Sequence, residues 1–100
     1  MHATQTMEEP AIGALERMRD QIESIDADLV RLLARRLRLA RAAGPLKWSR
    51  GLATADPARE AAVIRRAAML ARDAGLPEED VRDIFWRVVA LCRNAQLEAR

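Results

Sequence analysis

Between residues 11 and 43 the apolar positions keep a steady rhythm. Leu15, Met18, Ile22, Ile25, Leu29 and Leu32 follow one another at alternating intervals of three and four, the repeat of a helix that turns one apolar stripe toward another helix. The residues between them are good helix formers, and no Gly or Pro interrupts the run after Gly13. This predicts one long amphipathic helix from Ala11 to Ala43. The next position in the register is Arg36, and Leu39 and Ala43 then resume the pattern, so a permanent cation sits on the stripe. A guanidinium cannot shed its proton to escape burial. It must meet an anion there, supplied by the protein or by a ligand.

Punctuation residues divide the remainder. Gly44-Pro45 is expected to end or kink the long helix, because proline lacks an N–H and its ring crowds the carbonyl four residues back. Leu46 to Ala55 has no clear period and reads as a loop, with Lys47 near its start. Asp56 as N-cap and Pro57 at the first helical position open a second helix. It carries Val63, Ile64, Ala67, Ala68 and Leu70 and stops at Asp73-Ala74-Gly75, with Gly75 just past the end. Leu76-Pro77-Glu78-Glu79-Asp80 opens a third, acidic where the helix dipole favours it, running to about Leu97. Its apolar face is expected to include Val81, Ile84, Phe85, Val88, Val89 and Leu91. The fold class is therefore all-α, with one long, one short and one medium helix. Residues 1–11, with Glu8, Glu9 and Pro10, read as a flexible tail, leaving 12–100 as one helical domain.

Composition narrows the functional classes. Half of the 100 residues are apolar, enough for a modest core that a partner chain would enlarge. Lys and Arg number 17 against 15 Asp and Glu, and the two signs are interleaved. Arg31, Arg35, Arg36, Arg38 and Arg41 spread around a helix instead of lining one face, which argues against nucleic acid as a partner. One Cys and one His allow neither a disulfide nor a zinc site within the chain. No apolar run suits a signal peptide or a membrane span, so a cytoplasmic protein with no membrane partner is expected.

Several polar residues then invite a chemical reading. Arg19 flanks the stripe 17 residues before Arg36, about 25 Å along a continuous helix. Two residues that far apart cannot grip one small anion unless they come from different copies of the chain, and the heptad stripe independently asks for a second helix. Lys47 is the sole lysine. Asp56 and Glu60 share one side of the second helix's first turn, with Arg59 beside them. Cys92 and Gln96, four apart, extend the stripe of the third helix. Taken singly, Arg19 and Lys47 read more readily as solvated surface charges than as ligand contacts, Asp56 as a cap and Cys92 as a small core residue. Cys92 has no fixed histidine to activate it as a nucleophile, since His2 lies in the tail.

Together, Arg19, Arg36, Lys47, Asp56, Arg59, Glu60 and Gln96, with the opening Leu15, Arg19, Ile22 and Asp26, resemble the all-helical chorismate mutases of the AroQ class, without gaps from Leu15 to Gln96. The resemblance implies an intertwined helical homodimer with two sites, each drawing one arginine from the neighbouring subunit. It implies a chorismate mutase, converting chorismate to prephenate in the shikimate pathway of aromatic amino-acid biosynthesis, with no cofactor and no metal. By position, Arg36 and a second copy's Arg19 would hold the two carboxylates of chorismate. Lys47 and Gln96 would donate to the ether oxygen, Glu60 and the backbone at Asp56 would bind the ring hydroxyl, Arg59 would add positive potential, and Cys92 would line the pocket. The chain departs from the family at Cys92, where many relatives carry Ser, and at Pro45, where relatives continue the first helix. Proteins on the same fold also act as 4-amino-4-deoxychorismate mutases or isochorismate-pyruvate lyases, and a non-catalytic helical dimerisation module is the reading of another class.

Overall fold

The computed structural model of the chain describes residues 2–98, with side-chain surroundings from residue 9 onward. Three helices follow in order, α1 (His2–Ser49), α2 (Pro57–Asp73) and α3 (Glu78–Glu98), and among the described residues there is no strand. The chain divides between Leu32 and Leu33 into two compact units.

The first unit consists of the N-terminal part of α1. That helix begins at His2, so it takes in residues 2–11, where the sequence pattern led to the expectation of a tail. The apolar stripe is present as expected and bare. Leu15, Met18, Ile22, Ile25, Leu29 and Leu32 are each between 46% and 58% exposed.

In the second unit, α1 does not stop at Gly44-Pro45. It runs on to Ser49, which corrects the expected boundary and makes Lys47 a helical residue of the last turn rather than part of a loop. An internal proline costs a helix about 3 kcal/mol by removing one hydrogen bond and crowding a carbonyl. Here the helix continues because its flank is packed and its real stop lies later. Gly44 is buried against α3, where an added Cβ would stand 3.3 Å from the carbonyl oxygen of Gln96. Gly44 thus serves a close helix approach, not a cap. The cap is Gly51, at φ +70. Its N–H donates to the Trp48 carbonyl at 3.1 Å and the Leu52 N–H to the Lys47 carbonyl at 2.8 Å, the paired bonds of a Schellman ending.

The end of α2 repeats this geometry. Gly75, at φ +73, donates to the Arg72 carbonyl at 3.1 Å, and Leu76 to Ala71 at 2.8 Å, as the sequence led us to expect. At its start Asp56 is the N-cap, its carboxylate accepting from the Arg59 N–H at 3.0 Å, with Pro57 following. Ile64, Ala67, Ala68 and Ala71 form the buried face of α2, and Val89, Cys92, Ala95 and Gln96 that of α3. Both faces are built largely of small side chains, which lets the helices approach closely. Three residues expected on the inner faces, Leu70, Ile84 and Leu91, are instead about half exposed, because the faces that meet are rotated toward the alanines and toward Cys92.

Candidate active site

All the residues of the cleft described next belong to the second unit. Arg36 and Lys47 are eleven residues apart on α1, close to three full turns, so their side chains leave the same face. That alignment exists only because α1 passes through Pro45. Across from them, Cys92 and Gln96 stand one turn apart on α3, both buried, at 6% and 9% exposure. The Arg36 Nη1 donates to Cys92 Sγ at 2.9 Å, and Lys47 Nζ donates to Gln96 Oε1 at 3.2 Å.

These two bonds fix more than position. An ammonium can only donate, so the Gln96 atom facing Lys47 is its carbonyl oxygen, and the amide NH2 is left to donate elsewhere. Cys92 likewise acts as an acceptor that steadies Arg36. The loss of a hydroxyl donor relative to serine therefore leaves a role for this side chain as a rest for the guanidinium.

A cleft of about 280 Å³ opens beside these groups. Arg36, Lys47, Asp56, Arg59, Glu60, Cys92 and Gln96 all line it, with Leu39, Ala40, Val63 and Val89 as its apolar wall. Seven of the eight residues singled out from the sequence are thus brought together. The eighth, Arg19, is an exposed residue of the first unit. Asp56 faces the cleft while its carboxylate is engaged as the cap of α2.

Two polar lining residues escaped the sequence reading, Thr54 and Arg93. Thr54 is buried in the connection before α2 and had no periodic signal to mark it. Arg93 meets Glu60 in a two-pronged ion pair, Nε to Oε2 at 2.9 Å and Nη2 to Oε1 at 3.1 Å. The hydrogen bonds and charge of Glu60 raise Arg93 above the ordinary guanidinium range. Thirty-three residues separate the two, and no spacing rule links them.

The remaining cations answer the question that Arg36 poses. Among the described residues, neither Arg36, Lys47 nor Arg59 has a carboxylate within ion-pair distance. Half-buried Arg36 and Lys47 face a cavity whose two carboxylates are engaged elsewhere, Asp56 as the cap of α2 and Glu60 by Arg93, so a further anion would offset the cost of their burial.

The sequence profile of the family described as chorismate mutase type II matches residues 18–97, most of the chain. The chain belongs to the type II chorismate mutase family. The curated relatives of this family member include a protein named 3-dehydroquinate dehydratase from Pyrobaculum aerophilum, 37% identical over 90% of this chain and 26% of that protein. A T-protein from Enterobacter agglomerans is 36% identical over 78% of the chain and 21% of its own length. A bifunctional chorismate mutase/prephenate dehydratase from Neisseria gonorrhoeae is 40% identical over 74% and 20%. The chain therefore spans about a fifth to a quarter of the length of these relatives. No solved structure matches it significantly. No helix of its described residues is long and apolar enough to cross a membrane.

Proposed function

We propose that the chain is a chorismate mutase, rearranging chorismate to prephenate. The observation that carries this is the orientation of Lys47 and Gln96. Lys47 engages the carboxamide oxygen of Gln96, so the amide NH2 of Gln96 and the other N–H groups of Lys47 are left to serve as donors at the cleft. A Claisen rearrangement breaks an ether bond and gathers negative charge on its oxygen, and it requires no nucleophile, redox group or obligatory proton transfer. Two donors aimed at that oxygen stabilise the transition state more than the ground state.

Holding the substrate is the second task. Chorismate is a flexible dianion that reacts only from a folded, chair-like conformer. In this reading Arg36 grips one carboxylate, Arg19 of a second copy grips the other, Arg59 adds positive potential, and Glu60 with the backbone at Asp56 receives the ring hydroxyl. The apolar wall of Leu39, Val63 and Val89 presses on the ring. A 10⁶-fold acceleration asks for about 8 kcal/mol, which conformational trapping and a few preorganised donors are of the order to supply.

The homodimer belongs to the same proposal. Six large apolar side chains stand half exposed along the first unit, and covering the rest of each is worth about 1 kcal/mol. A second copy with the same stripe is the self-complementary cover, and it brings an Arg19 with it.

The test is turnover and its sharing between copies. Chorismate should disappear and prephenate form with the purified protein, and Arg19→Ala and Lys47→Ala should each be nearly inactive. Mixed dimers of those two variants should recover activity, because one of their two sites then holds both an intact Arg19 and an intact Lys47. Absence of turnover in the folded wild-type dimer would sink the mutase reading. Verified mixed dimers that stay inactive would sink the shared site.

A further inference from the structure

The ion pair between Glu60 and Arg93 differs in kind from the other ion pairs among the described residues. Arg31 with Asp28 and Arg82 with Glu79 are exposed pairs within single helices, and Arg72 with Glu78 joins two helices at the surface. Glu60 and Arg93 instead bridge the first turn of α2 and the C-terminal part of α3, with side chains 19% and 34% exposed, and both line the cleft. Each carboxylate oxygen already accepts one N–H from the guanidinium. A carboxylate has about four acceptor positions, so each oxygen keeps one for a ligand.

We propose that Arg93 is a specificity-determining positioning residue: by pairing with Glu60 it makes the cleft select a ring substituent that is a neutral hydroxyl over one that is a charged amine. The inference rests on the mutase reading and deepens it. A bare carboxylate would attract an ammonium more strongly than a hydroxyl. Paired with Arg93, Glu60 retains an acceptor position on each oxygen for a hydroxyl but loses most of its net pull on a cation. An ammonium bound to Glu60 would also face the guanidinium at roughly 6 Å, a repulsion worth about a hundredfold in binding constant at an effective dielectric near 20. Solvent at the partly exposed pair reduces this, so a change of about tenfold or more is the expected scale.

Four cations line the cleft, Arg36, Lys47, Arg59 and Arg93, against the carboxylates of Asp56 and Glu60. Of the four, Arg93 is the one that pairs with Glu60. Arg93 touches the carboxylate and not the reacting bond, so it acts through Glu60.

The experiment compares kcat/KM for chorismate and for 4-amino-4-deoxychorismate, at a pH that keeps the amine protonated, in the wild-type homodimer and in the Arg93→Ala and Arg93→Lys variants. Arg93→Ala should shift the preference about tenfold or more toward the amino substrate. Arg93→Lys, which keeps the charge, should stay near the wild-type ratio. If Arg93→Ala does not fold, Arg93→Gln carries the same expectation. An unmoved ratio in the uncharged variant overturns the inference even when both activities fall together, since a purely structural residue would do that. Wild-type protein inactive on chorismate overturns the mutase reading itself, a result separate from an active enzyme whose ratio does not move.

Discussion

The two stretches of α1 on either side of Leu32 follow the same helical rules and do different work. From Leu15 to Leu32 the stripe is uninterrupted, aliphatic and about half exposed, and no residue from 9 to 32 is buried. From Leu33 to Ser49 the stripe is broken by Arg36 and crossed by Gly44-Pro45, yet this stretch packs on α3 and lines the cleft. Regular periodicity marks a surface that wants another helix. Where Arg36 violates the pattern, the side chain lines the cleft, since a charge on an apolar face is tolerated only when something binds it.

The largest expected effect separates the two stretches directly. Lys47→Ala should lower kcat by about 10²- to 10³-fold, the scale of losing one aimed donor, while leaving the sedimenting mass at that of the dimer. Ile22→Glu should instead lower the mass to one chain, and activity with it, by setting a charge on the bare stripe. Ile22→Glu protein that sediments as a dimer would break the division of labour, as would Lys47→Ala protein that dissociates.

A smaller effect tests where the cleft-bearing stretch of α1 ends. Gly51 has a positive φ and nothing within 4 Å of where a Cβ would stand. Gly51→Ala should cost about 1 kcal/mol of unfolding free energy, purely through backbone strain. Denaturant melting that shows no loss would move the stop of α1 away from Gly51.

The smallest concerns cohesion within the second unit. The hydrogen bond from Arg72 Nε, at 2.6 Å, holds the Glu78 carboxyl below its ordinary range, with burial opposing and the charges of Arg72 and Arg82 assisting. A folded-state value below the unfolded one stabilises the protein above the unfolded pKa, near about 4.3, and that contribution is lost as pH falls through the folded value. Glu78→Gln should slightly flatten the acid limb of Tm against pH. An acid limb identical to wild type would show that this exposed pair contributes nothing measurable.

Much of this was legible in the residues. Asp56-Pro57 and Gly75 marked ends that the structure places at those residues, since capping is local chemistry. Gly44-Pro45 misled because its dipeptide signal is stronger than that of Gly51, and only packing shows Gly44 to be a point of close approach to Gln96. Arg93 left no trace at all, for its meaning depends on Glu60, 33 residues away.

Three helices, a stripe in search of a partner and an arginine in need of an anion are written in the residues, because period, caps and the cost of burying charge act over one or a few turns. Packing alone brings Lys47 into line with Arg36, sets the oxygen of Gln96 against Lys47 and its amide nitrogen free, and joins Arg93 to Glu60. These are meetings between helices, fixed by which faces pack, and no local rule of the chain contains them.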